Sequence, residues 1–140
     1  MSKTDGRTEI VETSERKQEA IERKHAGYNC CQAVLCAFAD EMPYSEEQLF
    51  ALGASFGVGM GGMEGTCGAL VGAELLLGVN GGGDRPVMRE ARAMQRAFSE
   101  ICGASLCKDL KGRDTGKALC SCDDCVRCAV DLIEPVLKKE

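Results

Sequence analysis

The chain has 140 residues, a formal net charge of -5 and 44% hydrophobic residues. This length allows one domain with a hydrophobic core but not two comfortable ones. The acidic balance argues against nucleic-acid binding, which requires a basic surface. No apolar run approaches the roughly 20 residues of a membrane-spanning helix, and residues 1–17 lack the apolar segment of a secretory signal. We therefore expect a single cytoplasmic domain spanning residues 1–140, without membrane insertion.

Ten cysteines are the dominant chemical feature of the sequence. The cytosol keeps free thiols reduced, so ten cysteines in a cytoplasmic protein indicate metal binding or thiol redox chemistry rather than a disulfide framework. Some of them can be small buried hydrophobic residues. We assign that role to Cys36, Cys102 and Cys128, because each lies within an apolar helical pattern.

Hydrophobic residues recur with the 3.6-residue period of helices, and no alternating strand pattern is present. The sequence therefore predicts an all-α, single-domain bundle of about five to six helices. The first helix is predicted over residues 12–26, ended by Gly27, with 1–11 disordered. The second is predicted over 30–41 and is stopped by Pro43. Its inward face is predicted to comprise Ala33, Val34, Ala37 and Phe38.

The middle of the chain combines a short helix, a glycine-rich turn and a central helix. Ser45 and Gln48 form a capping box that opens a third helix through Leu52. Residues 53–65 are rich in glycine and methionine and predict an irregular turn. Residues 67–77 are apolar on nearly all sides, which is typical of a buried central helix.

Three further helices are predicted in the second half of the chain. After a flexible link at 81–83, Asp84 and Pro86 start a long helix. A short helix follows Ser105, and the last runs over 122–137 with a kink at Pro135. The predicted inward residues of the long helix are Val87, Ala91, Met94, Phe98 and Ile101, and those of the last helix are Val126, Ala129, Val130 and Ile133.

Four predicted helix N-termini each carry at least one cysteine. The free amide groups and the dipole of a helix start stabilise an anion, and they can lower a cysteine pKa from about 8.5 to between roughly 3.5 and 7.5. Thiolates bind metals and attack disulfides, so this placement favours a functional role. The cysteines are Cys30, Cys67, Cys107 and the pair Cys122 and Cys125, and the caps are Asn29, Thr66, Ser105 and Ser121.

The C-terminal cysteines repeat at an interval that is typical of bacterial ferredoxins. Cys122, Cys125 and Cys128 have the C-x2-C-x2-C spacing. In ferredoxins this run lies in a loop and leads to a cysteine before proline, whereas here it lies on a predicted helix. We therefore rely on Cys122 and Cys125 as a pair rather than on the triple. An all-cysteine zinc site also remains open.

Four segments resemble the redox-active protein family named for its C-GCAxxG-C-C pattern. The central segment is Cys67-Gly68-Ala69-x-x-Gly72, in which cysteine precedes glycine, the reverse of the order in the family name. Tyr28 to Val34 resembles the first cysteine segment of the family, and Cys30 is its best match. Cys107 to Leu110 resembles the third segment. The last is Cys122 to Val126, where either Cys122 or Cys125 is the match.

A related domain occurs in split-Soret cytochromes, where its cysteines are associated with an iron–sulfur centre. The resemblance therefore implies a helical fold, a homodimer and a cluster of the [2Fe–2S] kind. This chain lacks a C-x-x-C-H haem attachment site. It also carries additional cysteines, which leave the choice of ligands open: Cys31, Cys36, Cys102, Cys120 and Cys128.

A glycine motif, the histidine and two further glycines have simpler explanations than ligand binding. Gly57 to Gly62 satisfies G-x-G-x-x-G, but that motif binds dinucleotides only after a strand in a βαβ unit. His25 is the only histidine and is best explained as a helix-terminal surface residue. Gly68 and Gly72 serve either the close approach of a cluster or helix packing.

The leading hypothesis is an electron-transfer or redox-sensing protein that binds an iron–sulfur cluster, of the [2Fe–2S] kind, and acts with a redox partner protein. Its proposed ligands are Cys30, Cys67, Cys107 and Cys122, with Cys125 as the substitute. One alternative is a metal-free thiol–disulfide oxidoreductase in which Cys122 and Cys125 exchange disulfides and Cys67 or Cys107 serves as their partner. The other is a structural zinc protein.

Overall fold

The computed structural model describes residues 14–83 and 86–137, and within those ranges it contains seven helices and no strand. The all-α prediction is confirmed. Each of the seven helices corresponds to a segment predicted individually from the sequence, so the expected count of five to six was too low. The predicted disorder of residues 1–11 lies outside the described residues. The helices are α1 Glu15–His25, α2 Cys30–Ala37, α3 Glu46–Leu52, α4 Gly68–Gly81, α5 Met88–Cys102, α6 Cys107–Lys111 and α7 Cys122–Leu137, with a 3-10 turn at Ala39–Glu41 and a left-handed turn at Gly57–Met60.

Side-chain caps fix the starts of the first three helices. Ser14 accepts a hydrogen bond from the Lys17 amide, so α1 begins at Glu15 rather than at the predicted Glu12. Both predicted capping boxes are confirmed: Asn29 with Gln32 opens α2, and Ser45 with Gln48 opens α3. These reciprocal bonds satisfy amide groups that otherwise lack partners at a helix start.

Helix α2 is a core element, not the one-sided helix that its apolar pattern predicted. Every residue from Cys31 to Ala37 is buried. The helix ends at Ala37, short of the predicted residue 41, because Phe38 leaves the helical conformation and a 3-10 turn follows. Its burial on all sides means that neighbouring helices must cover it completely.

The central helix α4 covers one side of α2 at very close range. A Cβ atom at Gly72 would lie 2.9 Å from the Cys31 carbonyl oxygen, and one at Gly68 would lie 3.3 Å from the Cys31 amide nitrogen. Glycine at these two positions therefore allows the two backbones to touch. The predicted burial of this helix is confirmed, and it extends to Gly81 rather than ending at Leu77.

Helices α5 and α7 complete the bundle, with one error in the predicted faces. The long helix starts at Met88, later than the predicted Asp84, which lies outside the described residues. Ile101 is 67% exposed, whereas Cys102 is buried. The buried face of α5 continues from Phe98 to Cys102, four residues on, and not to the predicted Ile101, three residues on.

All four predicted inward residues of α7 are buried, and Pro135 lies inside the helix. Two ion pairs attach the outer face of α1 to α7. Lys17 Nζ lies 3.0 Å from Asp131 Oδ1, and His25 Nε2 lies 2.7 Å from Asp123 Oδ2. None of the described helices combines the length and the apolar character needed to cross a bilayer.

The α2–α4 contact predicts opposite effects of alanine at two glycines of one helix. Gly72→Ala should lower the free energy of unfolding by about 1–3 kcal/mol, because its Cβ overpacks against Cys31. Gly78→Ala is the matched control, since its Cβ would meet nothing within 4 Å. It should be neutral or should stabilise by about 0.5–1 kcal/mol through helix propensity. Urea unfolding of both variants measures the difference, and equal effects would contradict the close packing.

Candidate metal centre

The N-terminal ends of α2, α4, α6 and α7 converge on one cavity of about 150 Å³. All five cysteines predicted for the site line it, although they come from four separate segments. A sixth cysteine, Cys120, joins them from the loop before α7. The six thiols are those of Cys30, Cys67, Cys107, Cys120, Cys122 and Cys125.

An isolated antiparallel bridge places Cys67 beside Cys107. Thr66 pairs with Leu106, and the two flanking amides complete the link. The Cys67 amide donates to the Ser105 carbonyl at 2.8 Å, and the Cys107 amide donates to the Gly65 carbonyl at 3.0 Å. Two segments 40 residues apart in sequence thus enter their helices side by side.

Two of the four helix N-caps at the cavity are not the residues predicted from the sequence. Cys67 itself is the N-cap of α4, in place of Thr66, because Thr66 is held in the bridge. Leu106, not Ser105, precedes α6, and its side chain makes no capping hydrogen bond. Ser121 does cap α7, where its Oγ accepts from the Asp124 amide at 3.1 Å. Each cysteine nevertheless lies at or within the first turn, as predicted.

The glycine-rich turn forms one wall of the cavity. Val58 and Gly59 both have left-handed backbone angles, with φ of 54° and 58°, and a Cβ at Gly59 would lie 2.5 Å from the Cys107 Cβ. Glycine is thus required here both by conformation and by space. A β-branched residue such as Val58 rarely adopts this conformation, and such strain concentrates at functional sites. The G-x-G-x-x-G motif is therefore a packing element of this cavity.

Cys67 has a thiol whose pKa is lowered by its neighbours. A hydrogen bond from the Cys125 thiol, with help from the amides of Ala69 and Leu70, lowers the pKa of Cys67 to about 7 despite burial. The same hydrogen bond to Cys67 raises the pKa of Cys125, and burial raises it further. The pair therefore exists as a thiolate on Cys67 and a thiol on Cys125 above neutral pH.

Cys30 and Cys107 have raised pKa values. Burial, together with the neighbouring Cys122 and Cys67, raises the pKa of Cys30 to about 12. Burial also raises the pKa of Cys107. Lys111 Nζ donates to Cys122 Sγ at 2.7 Å, and Lys24 also lines the cavity. Two positively charged side chains thus border the cavity.

A second sulfur cluster lies behind the cavity. The Sγ atoms of Cys102, Cys120 and Cys125 lie within 4.8 Å of one another, close enough to hold one metal ion. The Cys102 thiol donates a hydrogen bond to Cys128 Sγ. The predicted burial of Cys102 and Cys128 is confirmed, but the sequence analysis missed their contact with other thiols. The three-residue interval from Cys125 to Cys128 could have indicated that Cys128 lies near this cluster. Cys102 reaches the cluster through the packing of α5, which its spacing in the sequence does not indicate.

Three of the remaining candidates, Cys31, Cys36 and His25, lie away from the cavity lining. Cys31 and Cys36 are buried in α2. The Cys36 thiol donates to the Glu46 carbonyl at 3.6 Å, as a buried thiol with a local acceptor. His25 is exposed and paired with Asp123, in agreement with its interpretation as a surface residue. Gly68, in contrast, lines the cavity and also packs on α2.

The Cys67–Cys125 contact predicts an early thiolate titration in metal-free protein. Ultraviolet thiolate absorbance should contain a step near pH 7, about two units below the ordinary value of 9.0. The step should vanish in Cys67→Ser. In Cys125→Ala it should move to higher pH, because the thiolate loses its main hydrogen-bond donor. Cys36→Ala, a substitution outside the cavity, should leave the midpoint unchanged; an unmoved midpoint in Cys125→Ala would contradict the assignment.

The comparisons with known proteins agree with this cysteine arrangement. The family model described as "Putative redox-active protein (C_GCAxxG_C_C)" matches residues 28–136. This range includes all six cysteines of the cavity and all seven helices except α1 and the final residue of α7. Searches among curated proteins and among solved structures found no significant match. The chain belongs to the redox-active C_GCAxxG_C_C family.

Proposed function

We propose that the chain is an electron-transfer or redox-sensing protein that holds a [2Fe–2S] cluster on Cys30, Cys67, Cys107 and Cys122. The observation that carries this proposal is the convergence of thiols from four segments on one cavity. Four cysteine thiolates are the usual ligand set of such clusters. When bound, the cluster supplies one-electron oxidation and reduction.

The donor set of the cavity fits such a group. Among the residues that the structure describes, its lining contributes six sulfur atoms and two lysine ammonium groups and no carboxylate. Soft thiolate ligands select iron–sulfur clusters, Cu⁺ and Zn²⁺ over hard oxygen-seeking ions. A two-iron cluster divides its thiolates between two metals, so all four sulfurs need not lie within reach of a single ion. The four proposed ligands accordingly surround the cavity rather than form a single-ion group.

We assign the fourth ligand to Cys122 rather than to Cys125 because the two sulfurs have different surroundings. Cys122 contacts Lys111 and raises the pKa of Cys30, so it belongs with the first-turn thiols. Cys125 instead donates its hydrogen bond to Cys67. Hydrogen bonds to ligand sulfur raise the reduction potential of a cluster. Cys125 is therefore proposed as a residue that adjusts Cys67 rather than as a ligand.

The specific contact between Cys67 and Cys125 favours a second candidate, a metal-free thiol–disulfide oxidoreductase. The Cys67 thiolate would attack one sulfur of a disulfide substrate and release one thiol. Cys125 would then lose its proton, attack Cys67 of the mixed disulfide and release the second thiol. Both electrons end on the substrate, and the chain keeps a Cys67–Cys125 disulfide. This pair replaces Cys122 and Cys125, which the sequence favoured.

The cellular setting stays as predicted from the sequence. A redox partner protein that exchanges electrons with the chain is part of the proposal. The homodimer and the cytoplasmic location are further parts of the proposal. The structural zinc alternative uses the same thiol lining of the cavity, since thiolates also select Zn²⁺.

The cluster proposal predicts that iron binding depends on the cavity cysteines. Protein purified without oxygen should contain about two iron and two sulfide ions per chain. Cys67→Ala and Cys107→Ala should each lose most of this iron, because each substitution removes one proposed ligand. Metal and sulfide analysis with a visible absorption spectrum measures both.

The matched control is Cys36→Ala, which removes a buried thiol outside the cavity and should retain the wild-type iron content. Undiminished iron in Cys67→Ala and Cys107→Ala would contradict the ligand assignment. Absence of metal together with a Cys67–Cys125 disulfide after mild oxidation would support the oxidoreductase. Zinc in place of iron, after anaerobic expression with added iron, would support the structural zinc alternative.

A further inference from the structure

The sulfur cluster behind the cavity consists of residues that the proposed iron–sulfur centre does not use as ligands. Cys102 ends α5, Cys120 lies in the loop before α7, and Cys125 and Cys128 lie on successive turns of α7. The Cys120 amide donates to the Leu110 carbonyl at 3.4 Å, as does the Leu119 amide at 2.8 Å. These backbone bonds hold the loop against α6, so the position of Cys120 is fixed by the fold.

This cluster opens to a different surface from the first cavity. A groove on the far side of α7 is lined by Cys102, Cys120 and Cys128. None of the four proposed cluster ligands lines that groove. Only Cys120 borders both spaces, while Cys125 lies between them. The second group of thiols therefore has its own route for an entering ion.

We propose that Cys102, Cys120 and Cys125 bind a single thiophilic d10 cation, Zn²⁺ or Cu⁺, as a second centre beside the iron–sulfur cluster. In a tetrahedral site with Zn–S bonds of about 2.3 Å, neighbouring sulfurs lie about 3.8 Å apart. The three sulfurs already lie within 4.8 Å of one another. Closing around an ion thus requires movements of about 1 Å or less, which side-chain rotations can provide.

The surroundings favour a soft ion over a hard one. Cys102 and Cys125 are only 4% and 2% exposed, and the three donor atoms are all sulfur. Such ligands select Zn²⁺ and Cu⁺. Three thiolates complete the coordination of Cu⁺, and Cys128, whose thiol contacts Cys102, can supply the fourth ligand that tetrahedral Zn²⁺ requires. Each ligand releases its thiol proton to water when it binds the ion.

Charged residues at the groove assist entry and retention of the cation. Asp124 and Asp131 line the groove and attract cations to its mouth. Arg127 also lines it and pairs with Asp124 at 2.8 Å, where its positive charge balances the excess charge of bound thiolates. An ion on Cys125 would remove the proton that Cys125 donates to Cys67. Occupation of the second centre would therefore change the sulfur environment of the first, a coupling that rests on the proposed function.

Native mass spectrometry of the full chain, purified without oxygen and titrated with Zn²⁺ or with Cu⁺, tests the proposal. Wild type should bind one added ion with its iron content unchanged. Cys102→Ser is the main variant, because Cys102 lines the groove and does not line the cavity of the proposed cluster. It should retain iron and lose affinity for the added ion by more than the roughly 10- to 100-fold that loss of an outer-shell partner costs. Cys120→Ser should lose the added ion to the same extent.

Two control variants separate this proposal from the proposed function. Cys30→Ser should lose iron yet keep the added ion, and Cys36→Ser should keep both. A wild-type chain that binds no added ion, or a Cys102→Ser chain that binds it like wild type, overturns the second centre while leaving the iron result intact. Loss of the added ion in Cys30→Ser but not in Cys102→Ser also overturns it, because the ion would then occupy the first cavity.

Discussion

The close approach of α4 to α2 determines where the cysteines of this protein can meet. Two glycines on one face of α4, Gly68 and Gly72, bring its backbone against Cys31, at distances that a Cβ atom would violate. Since Cys30 starts α2 and Cys67 caps α4, the same contact places these two thiols at one cavity. The Thr66–Leu106 bridge then adds Cys107, and the N-terminus of α7 adds Cys122. A tertiary contact between helix backbones thus gathers residues from the whole chain.

Gathering so many thiols in one place creates an electrostatic problem that explains their uneven pKa values. Burial and mutual proximity raise the pKa of Cys30, and burial raises the pKa of Cys107. Cys67 is the exception, because Cys125 and the α4 amides stabilise its thiolate. Lysines 24 and 111 at the cavity offset further negative charge. A bound metal would displace the protons of its cysteine ligands, so metal binding depends on the pKa values of these thiols.

The sequence predicted those parts of the fold that depend on local signals. The capping boxes at Asn29 and Ser45 and the inward face of α7 follow from nearby residues, and all are as expected. The cysteine positions at helix starts were also predictable, although Cys67 is a cap rather than a first-turn residue.

The rest depended on contacts between distant segments. Ile101 was placed inward by periodicity, but the packing of α5 buries Cys102 instead. The role of Cys120 follows from backbone bonds to Leu110, and no spacing rule in the sequence encodes them. The left-handed turn at Val58 was expected only as irregular structure, because its conformation depends on packing against Cys107.

The most direct test of this account is iron-edge X-ray absorption spectroscopy on anaerobically purified wild-type protein. The account predicts a first shell made only of sulfur and an additional scattering shell from a second iron atom, as two metals share the four cavity thiolates. A first shell that contains nitrogen or oxygen, or an all-sulfur shell without iron–iron scattering, would contradict a cysteine-ligated [2Fe–2S] cluster in this cavity.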